Sequence, residues 1–580
     1  MEQSLLWVTV VQIFLVIAYQ GIDGASDRVE SILDYIPTEE RGRTAYHFQP
    51  PKNWMNDPNG PMYYKGIYHL FYQYNPYAAV WGEGILSWGH SISYNLVDWI
   101  HLEDALDPTD PYDIRGCWSG SATILPGGDP AIMYTGVEST NRQVQNIAVP
   151  KNLSDPFLLE WAKLDQNPLM TPVDAIGSEF FRDPTTAWLG KDKRWRVVIG
   201  SEINGHGTAL LYQSEDFVHW AKSHKPLHFS NKTDMWECPD FYPVSTNDTK
   251  GIDTSGLGRT TKHVLKASFF GHDHYIIGTY DSETDDFFPD TDFMDSNVKL
   301  RYDYGIYYAS KTFFDGAKRR RILWGWVKEA DDQSDDISKG WSGLQSFPRT
   351  ILLDKSGKQL SQWPIEEIEG LRKDEVNLQN KEIEGGNIFE VTGITASQAD
   401  IEVSFHLPNL DDAELTHPEW LDPQLLCSEK NASTGGVIGP FGLLILASEN
   451  LTEYTAVFFQ VFKGHDKYAV LMCSDQSRSS LREEVDISTF GAFVDVDPAE
   501  KISLRSLIDH SIIESFGGEG KTCITSRVYP TLAIGQESHL YVFNYGTESI
   551  RIANLSAWSM RRAQFFQSST KEEKPKLIEE

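Results

Sequence analysis

The amino-acid sequence predicts an all-β protein, with a radial array of five small sheets followed by an antiparallel sandwich. Two repeated patterns predict the array. An acidic or amide residue followed by apolar residues and a tryptophan recurs before Trp99, Trp161 and Trp220. Strand-like segments at regular intervals, with few helical periods between them, are typical of β-propeller blades. The five segments are Tyr68–Tyr72, Ala131–Tyr134, Trp195–Ile199, His274–Ile277 and Arg321–Trp324. A large β-sandwich with coincidental tryptophan spacing is the alternative interpretation.

The second domain is predicted from a change of pattern. After the array, segments such as residues 400–407 and 454–462 alternate apolar and polar residues with period two, which favours antiparallel strands with one buried face. We therefore predict a propeller over residues 45–363, a linker over 364–390 and a sandwich over 391–570. Residues 1–26 are predicted to be a signal peptide, 27–44 an N-terminal extension and 571–580 a C-terminal tail.

Charge and composition exclude several classes of partner. The 51 Lys and Arg against 83 Asp and Glu give a net charge of −32, so the chain lacks the cationic surface that nucleic acids require. The apolar run near the N-terminus is too short and too polar for a comfortable membrane span and fits a secretory signal, with an N-terminal anchor or a core helix as the alternative. We expect a monomer free of the membrane in its mature form, located in the apoplast, cell wall or vacuole. Six glycosylation sequons agree with secretion: Asn152, Asn231, Asn247, Asn431, Asn450 and Asn554.

The five cysteines are too few for a disulfide scaffold, and their odd number leaves at least one thiol unpaired. Cys427 and Cys473 lie in the same C-terminal region and could form a disulfide in an oxidising compartment. We expect Cys117, Cys238 and Cys523 to be buried as small apolar side chains. The absence of a Cys-x-x-Cys pair excludes a zinc site of that type. No metal or cofactor is predicted.

Three acidic residues stand at strand-like positions of different repeats. Asp57 lies in a turn-forming segment, and Asp183 follows Arg182, a cation that would keep it ionised. Glu237 lies between a tryptophan and a cysteine, surroundings that would raise the pKa of its carboxyl group. An ionised Asp opposite a protonated Glu is the arrangement that glycoside cleavage requires. Each alone is most often a turn or surface residue, but a propeller would bring all three to one axis.

The segments around these carboxylates resemble a known family. Trp54-Met-Asn-Asp-Pro-Asn-Gly60, Arg182-Asp-Pro184 and Trp236-Glu-Cys-Pro-Asp240 occur in the order of its three signatures, and Trp118-Ser-Gly-Ser121 is a fourth match. They resemble the plant acid invertases and fructan exohydrolases of glycoside hydrolase family 32, over nearly the whole mature chain. The resemblance implies a five-bladed β-propeller followed by a C-terminal β-sandwich. It also implies retaining cleavage of β-fructosyl bonds.

The resemblance also implies roles for individual residues. Asp57 is similar to the nucleophile, Glu237 to the acid/base and Asp183 to the transition-state stabiliser that grips the fructose hydroxyls. The other implied substrate contacts are Asn56, Gln73, Trp81, Ser119 and Arg182, with Trp54 and Trp118 as pocket walls.

The substrate is predicted from one further segment. Pro239 resembles the cell-wall branch of the family, whose invertases carry an Asp-x-x-Lys pair associated with holding the glucose of sucrose. Here that stretch is shorter and reads Phe269-Phe270-Gly271. This favours a fructan exohydrolase acting on inulin- or levan-type chains, with a cell-wall invertase acting on sucrose as the alternative. A catalytically inactive fructan-binding relative is a further alternative, although all three carboxylates are present.

Overall fold

A computed structural model describes residues 42–568, except 83, 174, 257–259, 296–298, 408, 418 and 466, and the backbone of 33–35. The all-β prediction is confirmed, since this part of the chain contains only two short α-helices, α1 (Gln333–Lys339) and α2 (Pro423–Glu429). No helix in the described ranges is long and apolar enough to cross a membrane. The predicted signal peptide (1–26) and tail (571–580) lie outside the described residues, as does most of the predicted extension.

Five sheets follow one another along the N-terminal half of the described chain. The first sheet contains β1 (Leu33–Tyr35), β2 (Asn53–Tyr64), β3 (Ile67–Asn75), β4 (Ser87–Ser93) and β5 (Trp99–His101). The second contains β6 (Cys117–Ile124), β7 (Pro130–Val137), β8 (Gln143–Pro150) and β9 (Trp161–Lys163). The third contains β10 (Phe181–Arg182), β11 (Trp188–Leu189), β12 (Trp195–Ile203), β13 (His206–Ser214), β14 (Trp220–Lys222) and β15 (His228–Ser230).

The fourth and fifth sheets complete the series. The fourth contains β16 (Glu237–Ser245), β17 (Thr261–Phe269), β18 (His272–Asp281) and β19 (Asp286–Pro289). The next strands are β20 (Tyr307–Asp315), β21 (Arg320–Val327), β22 (Trp341–Ser342), β23 (Leu344–Gln345), β24 (Arg349–Leu353) and β25 (Leu360–Pro364). All of these except β22 form the fifth sheet, whereas β22 pairs in parallel with β2. This pairing joins the end of the series to the first sheet.

The tryptophan repeat has a structural basis in the outer strands. Trp99, Trp161 and Trp220 each begin a three-residue strand, β5, β9 and β14, in successive sheets; β9 and β14 are edge strands, and β5 is followed outwards by β38 (Phe565–Ser568). Trp99 and Trp161 are buried, and Trp220 packs against Phe217. The five strand-like segments also fall in five different sheets. The tryptophan repeat therefore marks equivalent positions in successive sheets.

Two six-stranded antiparallel sheets pack on one shared core in the C-terminal part, with side chains such as Ile401 and Phe459 from the two sheets. One sheet contains β26 (Arg372–Ile383), β28 (Gln398–His406), β33 (Ile502–Asp509), β34 (Ile512–Gly517), β35 (Thr522–Arg527) and β37 (Ile550–Met560). The other contains β27 (Asn387–Glu390), β29 (Phe441–Ala447), β30 (Thr455–Lys463), β31 (Tyr468–Asp475), β32 (Phe490–Val494) and β36 (His539–Asn544).

The cysteines behave as the sequence suggested. A disulfide joins Cys427 on α2 to Cys473 on β31, with Cα atoms 5.6 Å apart. Cys117, Cys238 and Cys523 are buried and reduced.

Two boundaries differ from the sequence prediction. Most of the predicted linker (364–390) is β26 and β27, which are edge strands of the two C-terminal sheets. The strand β26 was mistaken for a linker because it lies at the edge of its sheet. Most of its side chains face solvent, so the sequence lacks the sustained apolar alternation that predicts a strand. The last described strand, β38 (Phe565–Ser568), was predicted to belong to the sandwich. It pairs in parallel with β5 of the first sheet instead.

Candidate active site

All ten residues proposed from sequence as catalytic or substrate-binding line one cavity of about 780 Å³. They come from four of the five N-terminal sheets. The ten are Trp54, Asn56, Asp57, Gln73, Trp81, Trp118, Ser119, Arg182, Asp183 and Glu237. Segments far apart in sequence therefore meet at one site.

Irregular backbone aims the side chains of this site. The register shifts in β2 between Met55 and Pro58, in β6 between Trp118 and Gly120, and in β16 between Glu237 and Asp240. Such bulges redirect side chains and are common beside active sites. Asp183 and Cys238 have φ angles of 63° and 43°, the left-handed region that costs a non-glycine residue roughly 1–3 kcal/mol. Surrounding contacts must hold both residues in place.

Asp57 lies at the floor of the cavity. Its Oδ2 accepts hydrogen bonds from Ser119 Oγ (2.6 Å) and Cys238 Sγ (3.3 Å). Enclosure by protein and the negative charges of Asp183 and Glu237 raise the pKa of Asp57 to about 7, against the opposing hydrogen bond from Ser119. Asp57 therefore retains a proton up to about neutral pH.

Asp183 is buried beside Asp57. The backbone N–H of Cys238 donates to its Oδ2 at 2.8 Å, and Arg182 Nε lies 3.9 Å from the same oxygen. The sequence predicted that Arg182 would keep Asp183 ionised, but the net shift of its pKa is upwards. Burial raises the pKa of Asp183 by more than Arg182 and the Cys238 N–H lower it.

Glu237 has a polar environment, whereas its position in the sequence between a tryptophan and a cysteine predicted an apolar one. Arg182 Nη2 donates to its Oε1 at 2.9 Å and Tyr308 Oη to its Oε2 at 2.5 Å, while a third of the side chain is exposed. The neighbouring Trp236 packs away from the cavity against Phe293. Trp236 precedes β16 and lies in a hydrophobic core, so this sequence neighbour does not surround the carboxyl group.

Tryptophans and unpaired amide oxygens complete the cavity. Trp54 lies between Trp81 and Trp326, with ring centroids 5.1 and 5.9 Å away, and Trp81 is exposed at the rim. Within the described ranges, Asn56 Oδ1 and Gln73 Oε1 are buried without a hydrogen-bond partner. Aromatic faces and free hydrogen-bond acceptors suit a sugar, which has apolar C–H faces and many hydroxyl donors.

Three residues at or next to the cavity were missed by sequence reasoning. Tyr308 binds Glu237, Trp326 lines the cavity, and the Lys328 Nζ lies 4.2 Å from the centroid of the Tyr308 ring. Burial lowers the pKa of Lys328. No motif distinguishes Tyr308 from the other tyrosines. Its position depends on a register shift in β20 between Tyr308 and Lys311.

The tightest acidic cluster lies outside the cavity and already holds a cation. Glu329, Asp331 and Asp336 are close enough to ligate a metal. The Nζ of Lys339 lies 2.8 to 3.1 Å from a carboxylate oxygen of each. One ammonium group thus already pairs with all three carboxylates.

Comparison with known proteins agrees with the geometry. Residues 47–364 match the glycosyl hydrolases family 32 N-terminal domain and residues 367–559 the family 32 C-terminal domain. The chain is 58% identical over 533 residues to the insoluble beta-fructofuranosidase isoenzyme CWINV1 of Arabidopsis thaliana, covering 90% of this chain and 91% of that protein. It is 57% identical over 529 residues to fructan 6-exohydrolase of Beta vulgaris, covering 90% and 87%.

A solved structure matches over the same extent. Fructan 1-exohydrolase IIa from Cichorium intybus superposes with a TM-score of 0.90 at 56% identity, covering 92% of this chain and 99% of that chain. The chain therefore belongs to glycosyl hydrolases family 32 and is a glycoside hydrolase.

Proposed function

We propose that this protein is a retaining glycoside hydrolase that releases terminal β-D-fructose from fructans of the inulin or levan type. The observation that carries the proposal is the convergence of Asp57, Asp183 and Glu237 on one residue, Cys238. Its Sγ donates to Asp57, its N–H donates to Asp183, and it follows Glu237 in the chain. A retaining pair needs its two carboxyl groups about 5–5.5 Å apart, and these shared contacts favour a short separation.

In the proposed reaction, Asp57 attacks the anomeric carbon of a terminal fructose while Glu237 gives its proton to the leaving oxygen. Asp183 accepts hydrogen bonds from the fructose hydroxyls as positive charge develops on the ring. The ionised Glu237 then removes a proton from water, which attacks the same carbon and frees Asp57. Arg182, hydrogen-bonded to Glu237, stabilises that ionised state.

The hairpin beside Glu237 supports the choice of fructan over sucrose. Glu237 pairs with Ser268 on β17, so the tip at Phe270 and Gly271 lies at the same end of the sheet as the acid/base. Both tip residues have positive φ, 49° and 77°, as in a two-residue type I′ turn. A turn this short leaves no room for an Asp-x-x-Lys pair, and it presents an exposed Phe270 towards solvent.

A cell-wall-type invertase is the second candidate. The similarity to the Arabidopsis beta-fructofuranosidase favours it as much as the similarity to the Beta exohydrolase favours the first. A catalytically inactive relative is disfavoured by the presence of all three carboxylates in one cavity.

The remaining predictions extend this proposal. Five consecutive N-terminal sheets, joined end to start by β2 and β22, support a five-bladed propeller over residues 45–363. The similarity to cell-wall enzymes supports secretion to the apoplast, cell wall or vacuole. Five of the six predicted glycosylation asparagines are exposed, and Asn431 is half-buried.

The test compares initial rates on sucrose, 1-kestose, inulin and levan with one enzyme preparation. We expect faster fructose release from 1-kestose or a fructan than from sucrose, and a sucrose rate much above all three would overturn the exohydrolase proposal. A variant in which Phe270-Gly271 is replaced by a longer tip carrying Asp-x-x-Lys should gain sucrose hydrolysis. The matched control lengthens the Lys65-Gly66 turn, also with two positive φ angles, at the end of β2 remote from Asp57.

A further inference from the structure

A buried ion pair lies behind the cavity in the fourth sheet. Lys266 on β17 and Asp273 on β18 are both completely buried, with Nζ and Oδ2 3.3 Å apart. Neither residue lines the cavity. Burying two charges costs several kcal/mol per ion unless each finds further hydrogen bonds, so the partners of this pair explain why it is retained.

Lys266 binds the backbone on one side of Glu237. Its Nζ donates to the carbonyl oxygen of Cys238 at 3.0 Å, where β16 bulges and φ is 43°. It also donates to Ser268 Oγ (2.8 Å) and the carbonyl oxygen of Ser310 (2.9 Å). The three protons of the ammonium group thus hold the strained residue that follows Glu237 and reach across to β20.

Asp273 binds the backbone on the other side. Its Oδ1 accepts from the N–H of Ala309 (3.0 Å) and its Oδ2 from the N–H of Ser310 (2.7 Å). These residues form the bulge of β20, where Ala309 has a φ of 53°. Ala309 directly follows Tyr308, whose hydroxyl donates to Glu237. Asp273 therefore fixes the residue that orients the Glu237 carboxyl group.

We propose that Lys266 and Asp273 are positioning residues for acid/base catalysis, because together they hold the two β-bulges that flank Glu237. One bulge sets the backbone of Glu237 and the other sets Tyr308. The inference rests on the proposed function, since it assigns the pair to the proton-transfer step of that reaction. It predicts a defect in proton donation rather than a general loss of structure.

The experiment measures kcat/KM of Lys266→Met and Asp273→Asn on 1-kestose and on p-nitrophenyl β-D-fructofuranoside. The nitrophenolate leaves without protonation, so the second substrate does not need the acid. We expect about a 10- to 100-fold loss on 1-kestose, within the range that general acids supply, and a loss of no more than about threefold on the activated substrate. All assays are run well below each variant's own Tm.

Two further readouts separate positioning from stability. On the activated substrate, kcat rather than kcat/KM should fall, because hydrolysis of the fructosyl-enzyme still needs Glu237 as general base. Azide, a nucleophile that needs no general base, should restore part of this kcat. Lys262→Met is the control: Lys262 lies on the same strand, is partly exposed and pairs with Asp290. It should leave both substrates unaffected.

Equal losses on both substrates, or wild-type rates on both, would overturn the inference. If Lys266→Met does not fold, Lys266→Arg keeps the charge but moves its donors, and the same substrate contrast applies. A wild-type enzyme that releases no fructose from 1-kestose, sucrose or a fructan would instead refute the proposed function.

Discussion

Two buried carboxylate clusters in this protein have opposite electrostatics. In the cavity, burial raises the pKa values of Asp57 and Asp183. Between the N-terminal sheets and the sandwich, Asp509 and Glu514 are completely buried, yet their pKa values are lowered. Burial alone would raise the pKa in both places, so the partners decide the sign.

The second cluster contains more cationic partners. His47 lies between Asp509 and Glu514, with ring nitrogens 2.8 and 2.9 Å from their carboxylate oxygens. Arg349 Nη2 lies 2.5 Å from Glu514 and 2.9 Å from Asp303. The three cavity carboxylates have Arg182 as their one direct ion-pair partner among the described residues. The interface cluster is therefore suited to stability and the cavity cluster to proton transfer.

The largest expected effect is that of Asp57→Asn on activity. Removing the nucleophile should lower kcat by at least about 10⁴-fold, as for other nucleophile deletions. The same substitution should increase the stability of the folded protein at high pH. The pKa of Asp57 rises from 3.8 to about 7 on folding, so ionisation destabilises the folded state increasingly above pH 3.8 and fully above pH 7. We expect the Tm of the variant to match wild type near pH 4 and to exceed it at pH 8; a lower Tm at pH 8 would contradict this.

The corresponding change at the interface should act on stability. Arg349→Met leaves Glu514 and Asp303 buried without their cation, and we expect a loss of about 3–5 kcal/mol in the free energy of unfolding. Denaturant unfolding at pH 6 measures it. Arg194→Met removes an exposed pair with Glu215 and should change stability by less than about 1 kcal/mol. Equal effects of the two substitutions would show that the buried ion pairs of Arg349 stabilise the protein no more than an exposed pair does.

The pH dependence of activity follows from the raised pKa of Asp57. Asp57 attacks as a carboxylate, and its pKa of about 7 means that most of the enzyme carries a protonated nucleophile at lower pH. We expect kcat/KM on 1-kestose to rise about tenfold per pH unit up to about pH 7. The activated substrate p-nitrophenyl β-D-fructofuranoside should show the same rise, because it needs the same nucleophile. A kcat/KM on either substrate that does not change with pH below about pH 7 would contradict this.

The smallest effect concerns His47. Burial lowers its pKa, but the hydrogen bonds and charges of Asp509 and Glu514 outweigh this, and the net shift is upwards from 6.5. Its stabilisation is thus complete below pH 6.5 and is lost as the pH rises through the folded-state value. His47→Gln should cost about 1–2 kcal/mol at pH 5.5 and less at pH 8.5. A loss of stability on His47→Gln that is the same at pH 5.5 and pH 8.5 would contradict the assignment.

Sequence reasoning identified the cavity residues that lie within recognisable motifs. The three carboxylates and seven further cavity residues lie in short segments or at repeat positions, and all ten line the cavity. It failed where side-chain environment depends on strand geometry. Trp236 adjoins Glu237 in sequence but points into the core, and the apolar alternation of a buried strand is absent from the edge strand β26.

Residues that act through a bulge left no signal in the sequence. Tyr308, Lys266 and Asp273 reach the Glu237 region because the β16 and β20 registers shift. Period-two patterns do not report such shifts, since one extra residue in a strand changes which face each later side chain occupies. The interface cluster was missed for a similar reason, because His47 and Asp509 are 462 residues apart in the chain.

The role of Asp57 as nucleophile is tested most directly by trapping the intermediate. Glu237→Gln is mixed with p-nitrophenyl β-D-fructofuranoside, which needs no acid to react, and the quenched protein is digested for peptide mass spectrometry. Without a general base the fructosyl-enzyme should accumulate, so we expect the peptide containing Asp57 to be heavier by one fructosyl residue. A peptide of unchanged mass despite nitrophenolate release, or a fructosyl group on the peptide containing Asp183, would contradict the account.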